Sequence, residues 1–143
     1  MKLTEENYIA TINSYSFEHW QPLFDLIPEI ENTQDFAEVV DVDKPDKFVI
    51  QMPLIAEKPI VSRFREVIYQ IPIIIAFSWA SWDEGRKIAN TDDFDFDTID
   101  VPTKCKLISA IVRNDRFCEG ALVSAFNSSL ILKILQSIQR QVG

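Results

Sequence analysis

Between Leu107 and Gly120 the chain sets Arg113, Asp115, Arg116 and Glu119 close together at the end of an apolar run. Two guanidinium groups at that spacing could form a fork for a carboxylate or a phosphate, because the planar guanidinium meets such groups with paired hydrogen bonds. Trp79 and Trp82, in Phe77-Ser78-Trp79-Ala80-Ser81-Trp82, would then wall a pocket for an anionic small molecule.

The same residues have an architectural reading. Asp115 lies seven positions after Ile108, so a continuing helix puts its carboxylate on the apolar face, where it needs compensation. Arg113 and Arg116 flank it and would supply that. Alternatively Asp115 caps the next helix while the arginines pair with it and with Glu119. The tryptophans are open in the same way: packed in the core, or exposed as a stacking platform or partner site.

Other chemistries find little support. His19 is the only histidine, which excludes a mechanism needing two imidazoles and offers no ligand pair for zinc. Asp93, Asp95 and Asp97 alternate like the start of a calcium loop. That loop needs Gly and Glu at its sixth and twelfth positions, where this chain has Thr98 and Lys104. Phe94 and Phe96 between the acids predict aromatics turned inward and carboxylates outward. Asp83-Glu84-Gly85-Arg86-Lys87 faintly resembles a nuclease core but lacks an upstream acid and a strand, and reads as a surface helix. There is no G-x-S-x-G, phosphate loop or dinucleotide fingerprint. No catalytic residue, metal or cofactor is assigned.

The elements that must position these side chains follow from periodicity and capping. Thr4 before Glu5 and Glu6 predicts a helix start, with Tyr8, Ile9, Ile12 and Tyr15 as its stripe. Ser16 caps a second stripe of Trp20, Leu23, Phe24 and Ile27, which Pro28 ends or bends. Phe36 to Val42 and Phe48 to Leu54 flank a turn at Asp43-Lys44-Pro45-Asp46, either a β-hairpin or an irregular excursion. Pro59 opens a helix carrying Ile60, Val61, Phe64, Val67, Ile68 and Ile71. Ile73-Ile74-Ile75 is a short buried strand or a rigid connector. Ser81 is expected to cap a helix reaching Ala89. Pro102 opens the helix of the Arg-rich segment, with a break at Asn114-Asp115, after which a short helix carries Ala121, Leu122 and Ala125. Ser128 and Ser129 precede a final stripe of Ile131, Ile134, Leu135, Ile138 and Val142. The expected fold is mainly α: about six short helices in one domain spanning residues 1–143, with at most one small hairpin.

A chain of 143 residues, 47% hydrophobic and 25% charged, has enough apolar material for one core. Its net charge of −8 has the wrong sign for nucleic-acid backbones and for anionic membrane surfaces. Cys105 and Cys118 are too few for a disulfide scaffold and are expected to be free thiols in a reducing compartment, dulled by apolar surroundings. The first residues are charged and lack the apolar core of a signal peptide, and the run from Ile71 to Phe77 is too short to cross a bilayer. An acidic, soluble, cytoplasmic protein is expected.

The segment L-I-S-A-I-V-R-N-D-R-F-C-E-G-A-L, from Leu107 to Leu122, resembles the L-T-A-I-V-R-x-D-R-F-x-E-G-x-L signature of an uncharacterised bacterial family. Ile131 to Leu135 is similar to its I-x-x-I-L tail. Phe77 to Trp82 is similar to its F-D-W-x-x-W, with Ser78 in place of the acid, and Leu23 to Ile30 to its L-x-x-L-I-P-x-F opening. The resemblance implies a bacterial, intracellular domain and supplies no activity.

Two classes of function remain. The first is a non-enzymatic accessory or interaction domain that binds a protein partner or a second copy of itself, motivated by Ile-rich stripes that one core would not fully cover. The second is a pocket protein or enzyme that holds an anionic small molecule through Arg113, Asp115, Arg116 and Glu119, with Trp79 and Trp82.

Overall fold

The computed structural model describes residues 4–40, 54–91, 93–116 and 120–142. In chain order the elements are α1 (Tyr8–Asn13), α2 (Phe17–Phe24), α3 (Ile27–Glu31), β1 (Ala37–Val40), β2 (Leu54–Glu57), α4 (Pro59–Gln70), α5 (Asp83–Ala89), α6 (Val101–Asp115), α7 (Ala121–Asn127) and α8 (Leu130–Val142). Two single-turn 3₁₀ helices, Trp79–Ser81 and Phe96–Thr98, precede α5 and α6. The fold is mainly α, as the periodicity predicts.

Capping chemistry sets the helix starts. The Ser16 hydroxyl accepts the His19 N–H at 3.3 Å and opens α2. Asp100 accepts the Thr103 N–H at 3.0 Å and opens α6, with Pro102 in the first turn where a missing N–H is harmless. Thr4 is used differently from expectation. It forms a reciprocal turn with Asn7, whose side chain takes the Thr4 N–H at 2.8 Å, and the helix begins only at Tyr8. Pro28 does not end α2, which stops at Phe24; it sits in the first turn of α3. Ser81 does not cap α5, because its hydroxyl donates to the Ser78 carbonyl within the preceding 3₁₀ turn, and Trp82 occupies the cap position.

The β element is an antiparallel pair in register Ala37↔Glu57 to Val40↔Leu54. Its first strand falls where expected. The second lies at Leu54–Glu57, C-terminal to the expected Phe48–Leu54; the expected turn and most of that strand lie outside the described residues.

The buried side chains form one cluster. α8 crosses it with Ile131, Ile134, Leu135 and Ile138 wholly buried, against α2, α3, α6 and α7. α4 adds Ile60, Val61, Phe64 and Ile68, and α2 adds Trp20 and Leu23. The Ile73-Ile74-Ile75 segment is a connector, not a strand. Two hydroxyls hold it: Tyr8 donates to the Ile73 carbonyl at 2.7 Å, and Ser109 accepts the Ile75 N–H at 3.1 Å. These bonds satisfy backbone groups that no strand partner supplies.

Candidate functional site

The Arg-rich segment ends α6. The helix runs through Asn114 and Asp115, so the expected break comes later; Arg116 is the C-cap and Gly120, at φ 90°, leads into α7. Glu119 and Cys118 lie outside the described residues. Asp115 joins three elements. One carboxylate oxygen accepts the Leu122 N–H at 3.0 Å in the first turn of α7. The other accepts Arg65 Nη2 at 3.2 Å, from α4. Arg65 also grips the Glu57 carboxylate with both terminal nitrogens, and Glu57 first, then Asp115, raise its already high pKa further.

Neither neighbouring arginine reaches Asp115. The exposed Arg116 donates to the Tyr69 hydroxyl at 3.4 Å. Arg113 is half-buried, and its Nε has no hydrogen-bond partner among the described residues. Helical geometry explains this: positions one or two apart point away from each other, so Arg113 and Arg116 diverge from Asp115.

Trp79 and Trp82 line a cleft of about 290 Å³ between the 79–81 turn with α5 on one side and α6 with α8 on the other. Ile88, Leu107, Ile111 and Ile134 form its apolar walls. Trp82 packs edge-on against Phe77, with ring centroids 5.4 Å apart, and lies directly on the backbone of Gly85. A Cβ built at Gly85 would meet the Trp82 ring at 2.2 Å, so glycine is what lets the indole lie there. The cleft's charged and amide-bearing lining residues are Arg86 and Asn114. Arg86 donates to the Ala80 carbonyl, bracing the 3₁₀ turn that carries Trp79. Arg113 and Arg116 are not among the lining residues. The fork and the tryptophans, adjacent in the sequence argument, therefore occupy different places. From the sequence, Arg86 is expected only on a surface helix and Asn114 only at a break. Their signal was the spacing of Asn114 from Leu107 and Ile111, which puts all three on one helix face.

The remaining chemistry-bearing residues are placed as follows. His19 stacks on Tyr15 at 3.9 Å and contacts the Ile71 carbonyl at 3.2 Å. Cys105 is buried and free, and burial pushes its thiol above the usual range. In the Asp-x-Asp-x-Asp stretch Phe96 is buried and Phe94 half-buried. Asp95 caps the 96–98 turn, and Asp97 receives the Ser137 hydroxyl and the Arg140 guanidinium, which hold its carboxyl below the usual range. Among the described residues no group of His, Cys, Asp and Glu is arranged to hold a metal ion.

No curated protein and no solved structure matches the chain. The profile of one family matches residues 15–143, nine-tenths of the sequence. On that match, the chain belongs to the family of unknown function DUF6508.

Proposed function

We propose that this protein is a binding domain for a small molecule with a flat apolar body and one hydrogen-bond-accepting group, held in the Trp79–Trp82 cleft. The cleft itself carries the reading: an apolar cavity with few polar groups is the form that small-ligand sites take. The two indoles supply broad apolar contact, while Arg86 and the Asn114 amide can donate to a carbonyl or carboxylate at the rim. Binding is proposed in preference to catalysis, because neither Arg86 nor Asn114 serves readily as a general base or nucleophile.

The interaction-domain reading drew on apolar stripes too large for one core. The α8 stripe is covered within the chain, and the large apolar side chains left exposed among the described residues are Ile9, Phe17 and Tyr69. That favours the cleft. A bacterial, cytoplasmic setting belongs to the proposal, supported by the likeness of Leu107 to Gly120 to the bacterial motif and by the buried free thiol of Cys105.

The test is a titration with the apolar anionic dye anilinonaphthalene sulfonate and a panel of indoles and aromatic carboxylates, followed by dye and tryptophan fluorescence. Saturable binding is expected, lost in Ala110→Trp, which fills the cleft, and weakened about tenfold in Arg86→Ala for carboxylates alone. Binding that survives Ala110→Trp in a folded variant would place the ligand elsewhere and overturn the reading.

A further inference from the structure

Asn114 ends the stripe of Leu107, Ala110 and Ile111 with which α6 lines the Trp79–Trp82 cleft. Another apolar side chain there would continue the stripe, and asparagine is a poor helix former because its side chain competes for backbone groups. Here it does not compete: the side chain is half-buried, and its amide makes no hydrogen bond among the described residues. Arg86, on the opposite wall, is differently placed. Its guanidinium donates to the Ala80 carbonyl, lies 4.0 Å from Asp83 and is well exposed. The polar side chain left uncommitted in the α6 wall is the Asn114 amide.

A ligand that covers this amide takes its N–H groups and its carbonyl out of water together, and whichever is left unpaired costs binding. A bare apolar ring leaves both unpaired. A ligand that only accepts leaves the Oδ1 carbonyl unpaired. An edge with a carbonyl beside an N–H satisfies both, by the pair of hydrogen bonds that two facing amides form. Size sets the body of the ligand: an apolar cavity on the order of 150 Å³ holds one benzene ring, so about 290 Å³ holds two fused rings.

We infer that Asn114 is the specificity-determining residue of the cleft, and that its ligand is a flat bicyclic lactam, with an N–H and a C=O side by side on one edge. The inference rests on the binding reading of the cleft and narrows the accepting group to the carbonyl of that edge. Asn114 Nδ2 donates to the ligand carbonyl and Oδ1 accepts from the adjacent N–H, while the fused rings lie against the indoles and Ile111. Such an edge is neutral, which suits a cleft whose lining guanidinium is already held by a backbone carbonyl.

The test compares 2-quinolone, which has the edge, with N-methyl-2-quinolone, which keeps the rings and the carbonyl and loses the N–H. Both are titrated into the protein and followed by tryptophan fluorescence and calorimetry. Wild type is expected to hold 2-quinolone about tenfold tighter, the worth of one hydrogen bond to an otherwise unpaired group. In Asn114→Leu the two compounds should bind alike. In Asn114→Asp, whose carboxylate only accepts, preference should pass to 2-aminoquinoline, which in its protonated form offers two donors. Far-ultraviolet dichroism checks that each variant is folded. A preference for 2-quinolone that survives in folded Asn114→Leu overturns the inference, because crowding by the methyl group would give the same result. Dye binding that is lost in Ala110→Trp, beside equal or undetectable affinity for the two quinolones, overturns it too and leaves the cleft reading intact. Failure of the quinolones and the dye alike to bind removes the cleft reading itself, and the inference with it.

Discussion

Arg65 and Asp115, fifty positions apart in sequence, meet at 3.2 Å, and Asp115 with its second oxygen holds the start of α7 at Leu122. One carboxylate thereby fixes the angle between α6 and α7 and ties both to α4 and, through Glu57, to the small sheet. The side chains are about a third exposed or less, so solvent screens the pair only partly.

Asp115→Ala removes the acceptor of the Leu122 N–H and leaves Arg65 with the Glu57 carboxylate among the described residues. A loss of about 1–3 kcal/mol is expected in urea unfolding. Asp115→Asn, which keeps an acceptor for Leu122, should lose about half as much. Arg116→Ala should stay within about 0.5 kcal/mol of wild type, because Arg116 is exposed and its hydrogen bond among the described residues is a long one to Tyr69. An Arg116 variant as damaging as Asp115→Ala would contradict this division of roles.

Gly85→Ala places a methyl where the Trp82 ring lies, so the indole must swing out or α5 must shift. A destabilisation of about 1–3 kcal/mol is expected, with a changed near-ultraviolet dichroism of tryptophan and loss of dye binding. Unaltered tryptophan spectra in this variant would show that Trp82 does not rest on Gly85 in solution.

Lys104 is wholly buried and its Nζ has no hydrogen-bond partner among the described residues; Lys104→Met replaces that ammonium with an apolar side chain of similar length. Burial lowers the Lys104 pKa to about 8 in the folded protein, against 10.5 for the free group. Below about pH 8 both states are protonated and the cost of burying the charge is fully present. Between 8 and about 10 the unfolded chain holds more protons than the folded one, so stability rises with pH and the cost fades. Cys105 acts oppositely above about pH 9, because its folded thiol stays protonated while the unfolded thiol ionises. The clean observable is therefore the difference between the two proteins. Lys104→Met should be more stable by roughly 1–3 kcal/mol below pH 8, with the gap closing by about pH 10. A gap independent of pH would mean that Lys104 is not desolvated.

Ser109→Ala strips the Ile75 N–H of its acceptor in the interior. An unsatisfied buried donor costs about 1–3 kcal/mol, so the melting temperature should fall by several degrees. Ser109→Cys, retaining a weak acceptor, should recover part of that.

Helix positions are readable because the stripes repeat at helical spacing: Ile60, Val61, Phe64 and Ile68 in α4 and Ile131, Ile134, Leu135 and Ile138 in α8 lie buried as their periodicity predicts, with Val67 half-buried. Ser16 was readable as a cap because its hydroxyl acts on residues three positions away. The Arg65–Asp115 pair was not, since spacing along the chain says nothing of a partner from another helix, and the nearest arginines were the natural candidates. The cleft was legible in its two tryptophans and not in its polar rim. Arg86 is one charge among several in an acidic and basic run, and only the 3₁₀ turn, whose Ala80 carbonyl it meets, brings it to the cleft.

Tyr8 and Ser109 both hold the Ile73-to-Ile75 stretch through its backbone. Its amides are tied to the interior although they belong to no helix or strand. The Ile73 N–H bonds to the Ile68 carbonyl at 3.1 Å, and the Ile75 N–H to a buried hydroxyl. Deuterium exchange at Ile75 then requires opening the packing of α6 on this segment, and at Ile73 release from the end of α4, not fraying of a loop. A map of slow exchange will run through this segment, where the protection of Ile75 will trace the Ser109 hydroxyl and not a ladder of helix or strand bonds.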